Sequence, residues 1–311
     1  MATTSRENQT FKLPDGRVLG FAEYGNPDGV PLLRASRRPR QPLRLPLIAL
    51  DRPGFGLSTP LPRRRFPDWA DDVRAFAKGM HIDRFAVFGL SGGGPYALAC
   101  ARFLPKEMLT GVGLFISGPH WAAGANHMTL IRRLVSVWSI HSPGSLTFVA
   151  DMFTGAWKWL VSTNFITTRL DKWLDAAKLK EKGAPGGIED EHVAEWMEDR
   201  PTAEKREALI NMIVREPYRQ GTAATVHEAM LLSAQDWGFK LEDVNYDEIK
   251  MWHGVEDKNA PIGMMRWMAE RLPHCKLQEF EGETHYTMWK HIDAAFAELV
   301  PKDTSKKTTE A

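Results

Sequence analysis

The hydrophobic pattern changes period along the chain. Residues 11–13 and 17–22 are extended runs separated by Pro14-Asp15-Gly16. Asp-Gly between such runs predicts a tight hairpin. Residues 30–33 and 47–50 are short apolar runs that read as strands, and the second ends at Asp51 before the turn-rich Arg52-Pro53-Gly54-Phe55-Gly56. A βαβ texture follows. Trp69, Val73, Phe76, Ala77 and Met80 recur at helical spacing. Residues 84–90 form a run broken only at Gly89, as in a strand buried on both faces. A small-residue helix carries Tyr96, Leu98, Ala99 and Phe103, and residues 112–116 read as the next strand.

After Pro119 the texture changes. Residues 121–237 contain no convincing strand, and helical stripes such as Ile131, Leu134, Val135 and Trp138 dominate. Seven of the eleven tryptophans fall there, which marks the segment as a helical insertion with large apolar side chains. A Gly/Pro break at residues 183–187 divides it. The α/β texture resumes near Tyr246: a strand at 249–252, a helix at 261–272 with Pro at its first turn, and a strand at 276–280. A last amphipathic helix carries Met288, Ile292, Ala295, Phe296 and Leu299. The expected division is a core over 1–119, a helical cap over 120–245, a second core part over 246–300 and a disordered tail over 301–311.

Composition narrows the function. Forty basic against 39 acidic residues give a net charge of +1 over 311 residues, which argues against a phosphate-neutralising, nucleic-acid-binding surface. Two cysteines, Cys100 and Cys275, make neither a disulfide framework nor a Cys-x-x-Cys metal site, and a reducing, cytoplasmic setting is expected. The polar first ten residues lack the apolar core of a secretory signal. Asp151 and Lys158 interrupt the longest apolar stretch, at 144–163, so a membrane span is not expected and membrane contact through the cap is disfavoured.

The most informative stretch is Phe88-Gly89-Leu90-Ser91-Gly92-Gly93-Gly94, between a buried strand and a helix. Small residues two before and two after Ser91 suit a sharp turn that lifts its hydroxyl above the sheet edge. The Gly92 amide, at the helix N-terminus, is placed to hold a developing oxyanion. A phosphate cradle fits less well, because neither Gly-Lys-Ser/Thr nor Gly-x-Gly-x-x-Gly is present. A nucleophilic serine needs a base and an orienting carboxylate. Of the ten histidines, His285 lies between the last strand and the last helix, at the strand edge where catalytic groups gather. His253 reads as a turn-shaping residue, and His81, His192 and His274 as solvated positions. Asp257 follows a strand by the short loop His253-Gly254-Val255-Glu256, with Glu256 its nearest competitor. The other available loop, Ser117-Gly118-Pro119-His120, holds no carboxylate.

The order Ser91, Asp257, His285 is similar to that of the α/β-hydrolase superfamily. Gly89-Leu90-Ser91-Gly92-Gly93 resembles its nucleophile elbow, and residues 51–58, Asp-Arg-Pro-Gly-Phe-Gly-Leu-Ser, resemble its segment after strand four. Residues 253–257 resemble its acid loop and residues 282–285 its histidine loop. The resemblance covers residues 10–120 and 246–300. It implies a mostly parallel eight-stranded sheet with an antiparallel second strand, and a helical cap inserted after the sixth strand. It further implies a serine hydrolase that cleaves acyl bonds of a small-to-medium hydrophobic ester. No metal or organic cofactor is implied. The Trp- and Met-rich cap is expected to roof an apolar pocket.

One segment departs from the family. The His-Gly that follows strand three, source of a second oxyanion donor, is missing from residues 31–42, Pro-Leu-Leu-Arg-Ala-Ser-Arg-Arg-Pro-Arg-Gln-Pro. Only thirteen residues, 34–46, join two parallel neighbours, and Pro39, Pro42 and Pro46 oppose a crossover helix there. The crossover helix is therefore expected to be absent, either as a true divergence or through a lost or misread coding segment. The arginines at 34, 37, 38, 40 and 44 read as a solvated loop rather than an anion site. Two alternatives to an esterase stay open. One is an impaired or non-catalytic binding homologue. The other is an aminopeptidase of the proline iminopeptidase kind, which needs a carboxylate in the cap for a substrate amine; Glu189, Asp190, Glu191, Glu195 and Glu198 are candidates.

Overall fold

The structure is a computed structural model and describes residues 6–25, 31–34, 46–125, 128–180 and 201–300. The crossover at 35–45, four of the five arginines weighed there, the cap carboxylates at 189–198, His192 and the tail at 301–311 lie outside the described residues.

Eight strands form one sheet: β1 (Arg6–Lys12), β2 (Val18–Tyr24), β3 (Leu32–Arg34), β4 (Leu47–Leu50), β5 (Phe85–Leu90), β6 (Leu109–Phe115), β7 (Ile249–Gly254) and β8 (Cys275–Phe280). Their spatial order is β1-β2-β4-β3-β5-β6-β7-β8. β2 runs antiparallel to both β1 and β4, and every pair from β4 to β8 is parallel. The Asp15-Gly16 hairpin forms as its residues dictate, with Gly16 at φ 88. Arg17 beside it pairs with the buried Asp72 carboxylate and pins the turn to the first helix.

The first helices are α1 (Phe66–Gly79) and α2 (Gly94–Phe103). Alternate residues of the central strands enter opposite cores, which explains their unbroken apolar runs. Leu33, Ile48, Val87 and Val112 pack with Val73 and Phe76 of α1 and Leu98 of α2. Leu32, Leu47, Ala86, Phe88 and Phe115 belong to a second cluster with Phe296 and Leu299 near the C-terminus.

Helices follow β6: α3 (Leu130–His141), α4 (Pro143–Val161), α5 (Asn164–Lys180), α6 (Thr202–Ile210) and α7 (Ala223–Ser233). Among the described residues between β6 and β7 there is no strand. Gly144–Val226 forms a compact unit of its own, whereas the rest of the 120–245 segment clusters with the sheet. Trp237 illustrates the latter: it is buried in the main core against Phe66 and His120. α8 (Ile262–Arg271) covers β7 and β8. The last helical stretch is split into a 3-10 segment (Thr287–His291) and α9 (Ile292–Leu299), with Met288, Phe296 and Leu299 buried as the periodicity predicts.

Candidate active site

β5 ends at Leu90, and the chain turns at once into a single 3-10 turn (Ser91–Gly93) and then α2. Ser91 sits at φ 48, a left-handed conformation uncommon for a residue with a Cβ. The doubling back explains Gly89: a Cβ there would lie 2.7 Å from both the Gly93 carbonyl and the Gly94 Cα. The Gly118 N–H donates to the Ser91 carbonyl (2.7 Å), tying the elbow to the loop after β6.

The loops after β7 and β8 leave the same sheet edge, because those strands are parallel neighbours. Gly254 lets them meet, since a side chain there would collide with the Glu283 carbonyl. That carbonyl accepts the Glu256 N–H (2.9 Å), and the Phe280 carbonyl accepts the Val255 N–H (3.0 Å). Asp257 is buried, and its Oδ1 accepts the amides of Asn259 (2.7 Å) and Ala260 (2.9 Å). Its Oδ2 lies 2.7 Å from His285 Nδ1, and His285 Nε2 lies 3.1 Å from Ser91 Oγ. The structure thus brings Ser91, His285 and Asp257 into one hydrogen-bonded line, while Glu256 is exposed. With Nδ1–H donating to the carboxylate, Nε2 is left to accept the serine proton.

Burial works to raise the Asp257 pKa, but the hydrogen bond and charge of His285, helped by the Ala260 amide and His253, outweigh it. The carboxyl is held below its ordinary value and stays ionised. His253 proves closer to this chemistry than its turn-shaping reading implied. It is fully buried, its Nε2–H donates to the Ala260 carbonyl (2.7 Å), and Nε2 is 3.3 Å from Asp257 Oδ2. Burial lowers its pKa, only partly opposed by Asp257, so it is a neutral brace behind the carboxylate. Gly92 follows Ser91 directly, at the first turn toward α2. The stretch after β3, where the family has its second oxyanion donor, lies beyond Arg34 and outside the described residues.

With this geometry in place, a comparison with family models matches residues 20–300 to the alpha/beta hydrolase family. The chain belongs to the α/β hydrolase family. Solved structures of similar fold include a thermophilic esterase from Thermogutta terrifontis, 19% identical, covering 94% of this chain and 97% of that one at a TM-score of 0.54. A bromoperoxidase from Bacillus anthracis is 16% identical over 94% and 99% of the two chains, at a TM-score of 0.59. An enol-lactonase from Burkholderia xenovorans is 14% identical over 93% and 97%, at a TM-score of 0.56. At these identities the likeness shows the shared fold alone. No curated protein matches the chain.

The family's segment after β4 has two tasks in this hydrolase-fold chain. The Asp51 carboxylate is wrapped by its own loop: Oδ2 accepts the Leu57 N–H (3.0 Å), and Gly56, at φ 50, leaves no room for a Cβ beside it. The next residue, Arg52, forms a two-pronged ion pair with Glu228 of α7 (Nε to Oε2 3.0 Å, Nη2 to Oε1 2.7 Å). Arg64 adds a second guanidinium to Glu228 Oε2 (3.3 Å) and donates to the Pro53 carbonyl (2.9 Å). Burial works to lower the Arg52 pKa, but Glu228 outweighs it and the group is raised. A Cβ on Gly92 would sit 3.1 Å from Glu228 Oε1, so this carboxylate borders the Gly92 backbone. Left unneutralised, it would oppose negative charge developing there.

Sequence reasoning missed Glu228, Arg64 and the second contact of His253. The 176 residues between Arg52 and Glu228 leave no local signal for that pair. The spacing of four between His253 and Asp257 across a strand-end turn is a signal, and it was readable.

Proposed function

We propose that the chain is a serine hydrolase of carboxylic esters, working through an acyl-enzyme on Ser91 with His285 and Asp257. The observation that carries the reading is the continuous line from Ser91 Oγ through the His285 imidazole to Asp257 Oδ2, at 3.1 and 2.7 Å. Ser91 Oγ attacks the acyl carbon as His285 Nε2 takes its proton. The tetrahedral oxyanion rests on the Gly92 N–H. Collapse expels the alcohol, which receives the proton from His285. Water then attacks the acyl-enzyme with His285 again as base, releasing the acid and regenerating Ser91. Asp257 holds the imidazole in its productive tautomer and stabilises the imidazolium. The substrate is a small-to-medium hydrophobic ester.

Two further readings compete. Residues 31–42 lack the His-Gly of the family, and this favours a slower or non-catalytic homologue. Losing one oxyanion donor typically costs about 10²- to 10³-fold in turnover. The aminopeptidase reading requires a carboxylate for a substrate amine, and its candidates Glu189, Asp190, Glu191, Glu195 and Glu198 lie outside the described residues. Turnover of p-nitrophenyl butyrate by the wild type and by His285→Ala decides between the first two. A wild-type rate well above that of the variant supports the hydrolase, and equal background rates support a binding protein.

A further inference from the structure

α3 is built inside out, and α4 buries only Leu146 and Val161 and leaves most of its large apolar side chains outside. α3 buries Ser136 and Ser139 and exposes Leu130, Ile131, Leu134 and Val137. α4, considered within its own unit, exposes Phe148, Met152, Phe153, Trp157 and Trp159. Its two charged residues are engaged elsewhere: Asp151 accepts the Thr222 N–H (2.9 Å) and hydroxyl (2.8 Å), and Lys158 donates to the Tyr218 carbonyl (2.8 Å). α5 repeats the arrangement. Asp171 pairs with Arg206 and Asp175 accepts the Thr202 hydroxyl (2.6 Å), whereas Phe165, Arg169, Lys172 and Trp173 are exposed. Arg169 lies over the Phe165 ring, 4.5 Å from its centroid.

We propose that the α4–α5 face is a peripheral docking surface for an anionic phospholipid bilayer. So many exposed aromatic side chains on two helices call for an occupant. Their chemistry selects one: aromatic and aliphatic side chains, with Arg169 and Lys172 exposed on α5 alongside Phe165 and Trp173, and with the carboxylates of both helices tied to α6 and the 218–222 turn. On α5, Arg169 and Lys172 are exposed cations, while Asp151, Asp171 and Asp175 are each held by a neighbouring element. A second copy of the chain, packed symmetrically, would set these cations against themselves, whereas a bilayer with acidic headgroups complements them. Among the described residues no helix is long and apolar enough to cross a membrane, so the contact is interfacial.

The full chain is tested by co-sedimentation with phosphatidylcholine vesicles, with and without phosphatidylglycerol. The wild type binds the anionic vesicles, less so at high salt. The Phe153→Ser/Trp157→Ser variant partitions at least about tenfold less, with an unchanged thermal midpoint. Should that variant fail to fold, Arg169→Glu/Lys172→Glu carries the test by losing the preference for anionic vesicles. Absent binding, or binding that neither variant alters, overturns the proposal. A dimer that the substitutions dissolve, without vesicle binding, assigns the face to a second copy and overturns it as well.

Discussion

The sheet with its rim of loops and the helical unit Gly144–Val226 treat the same residue types in opposite ways. In the sheet, Phe88 is 1% exposed and packs against Phe115, Trp252 and Phe296. On α4, Phe153 is 73% exposed. In the sheet region polar groups are drawn inward and paired, as Arg52 with Glu228 and Asp257 with His285. On α4 and α5 the large apolar side chains remain outside, beside exposed polar groups such as Arg169 and Lys172. Hydrophobicity along a chain therefore predicts burial only where a second layer is supplied, as β-strands receive from helices on both faces.

The largest effect that sharpens this contrast is chemical. Ser91→Ala is expected to lower kcat for a short-chain ester by about 10⁴-fold or more with the fold retained, checked by steady-state kinetics beside circular dichroism. Next comes packing. Phe88→Ala should cost about 3–5 kcal/mol in denaturant titration, because it empties a filled core site. Breaking the buried ion cluster ranks third: Arg52→Leu should cost about 2–3 kcal/mol in denaturant titration, softened by Arg64, which still neutralises Glu228, whereas Glu228→Leu, which strands both guanidiniums, should cost more. A Glu228→Leu loss no larger than that of Arg52→Leu would show that the carboxylate is not what holds the two arginines.

The fourth effect concerns pH. Burial lowers the folded-state pKa of both His253 and His120. The unfolded chain therefore takes up protons below about 6.5 that the native state refuses. Their contribution to stability is full above that pH and is lost as pH falls below it; Asp257, with its lowered pKa, adds a further loss in the more acidic carboxylate range. Thermal midpoints at pH 7 and pH 5 should differ, and His253→Gln should narrow the gap. The smallest effect is Phe153→Ala, expected within about 0.5 kcal/mol of wild type. A loss as large as that at Phe88 would mean that α4 is covered in solution and would end the contrast.

Much of the fold is legible in the chain because its signals are local. Asp15-Gly16 places the first hairpin, the runs at 84–90 and 112–116 place two buried strands, and Gly89 and Gly93 around Ser91 mark the elbow. Asp257 and His285 follow from their places at strand ends, since a parallel sheet delivers such loops to one edge. What escaped depends on long-range meetings. Glu228 lies on a helix far from Arg52 in sequence, and His120 is a buried ring lying between Trp237 and Trp267, with no local pattern to reveal it. The outward apolar faces of α3 and α4 are not legible for a different reason: a helical stripe shows that one face is apolar and not what covers it, and the cap is expected from sequence to roof an apolar pocket.

The most direct test is to treat the protein with a fluorophosphonate and map the adduct by peptide mass spectrometry. A single adduct on Ser91, formed far more slowly in His285→Ala and absent in Ser91→Ala, is the predicted result. Modification at another residue, or labelling indifferent to both substitutions, would contradict the assignment of the nucleophile.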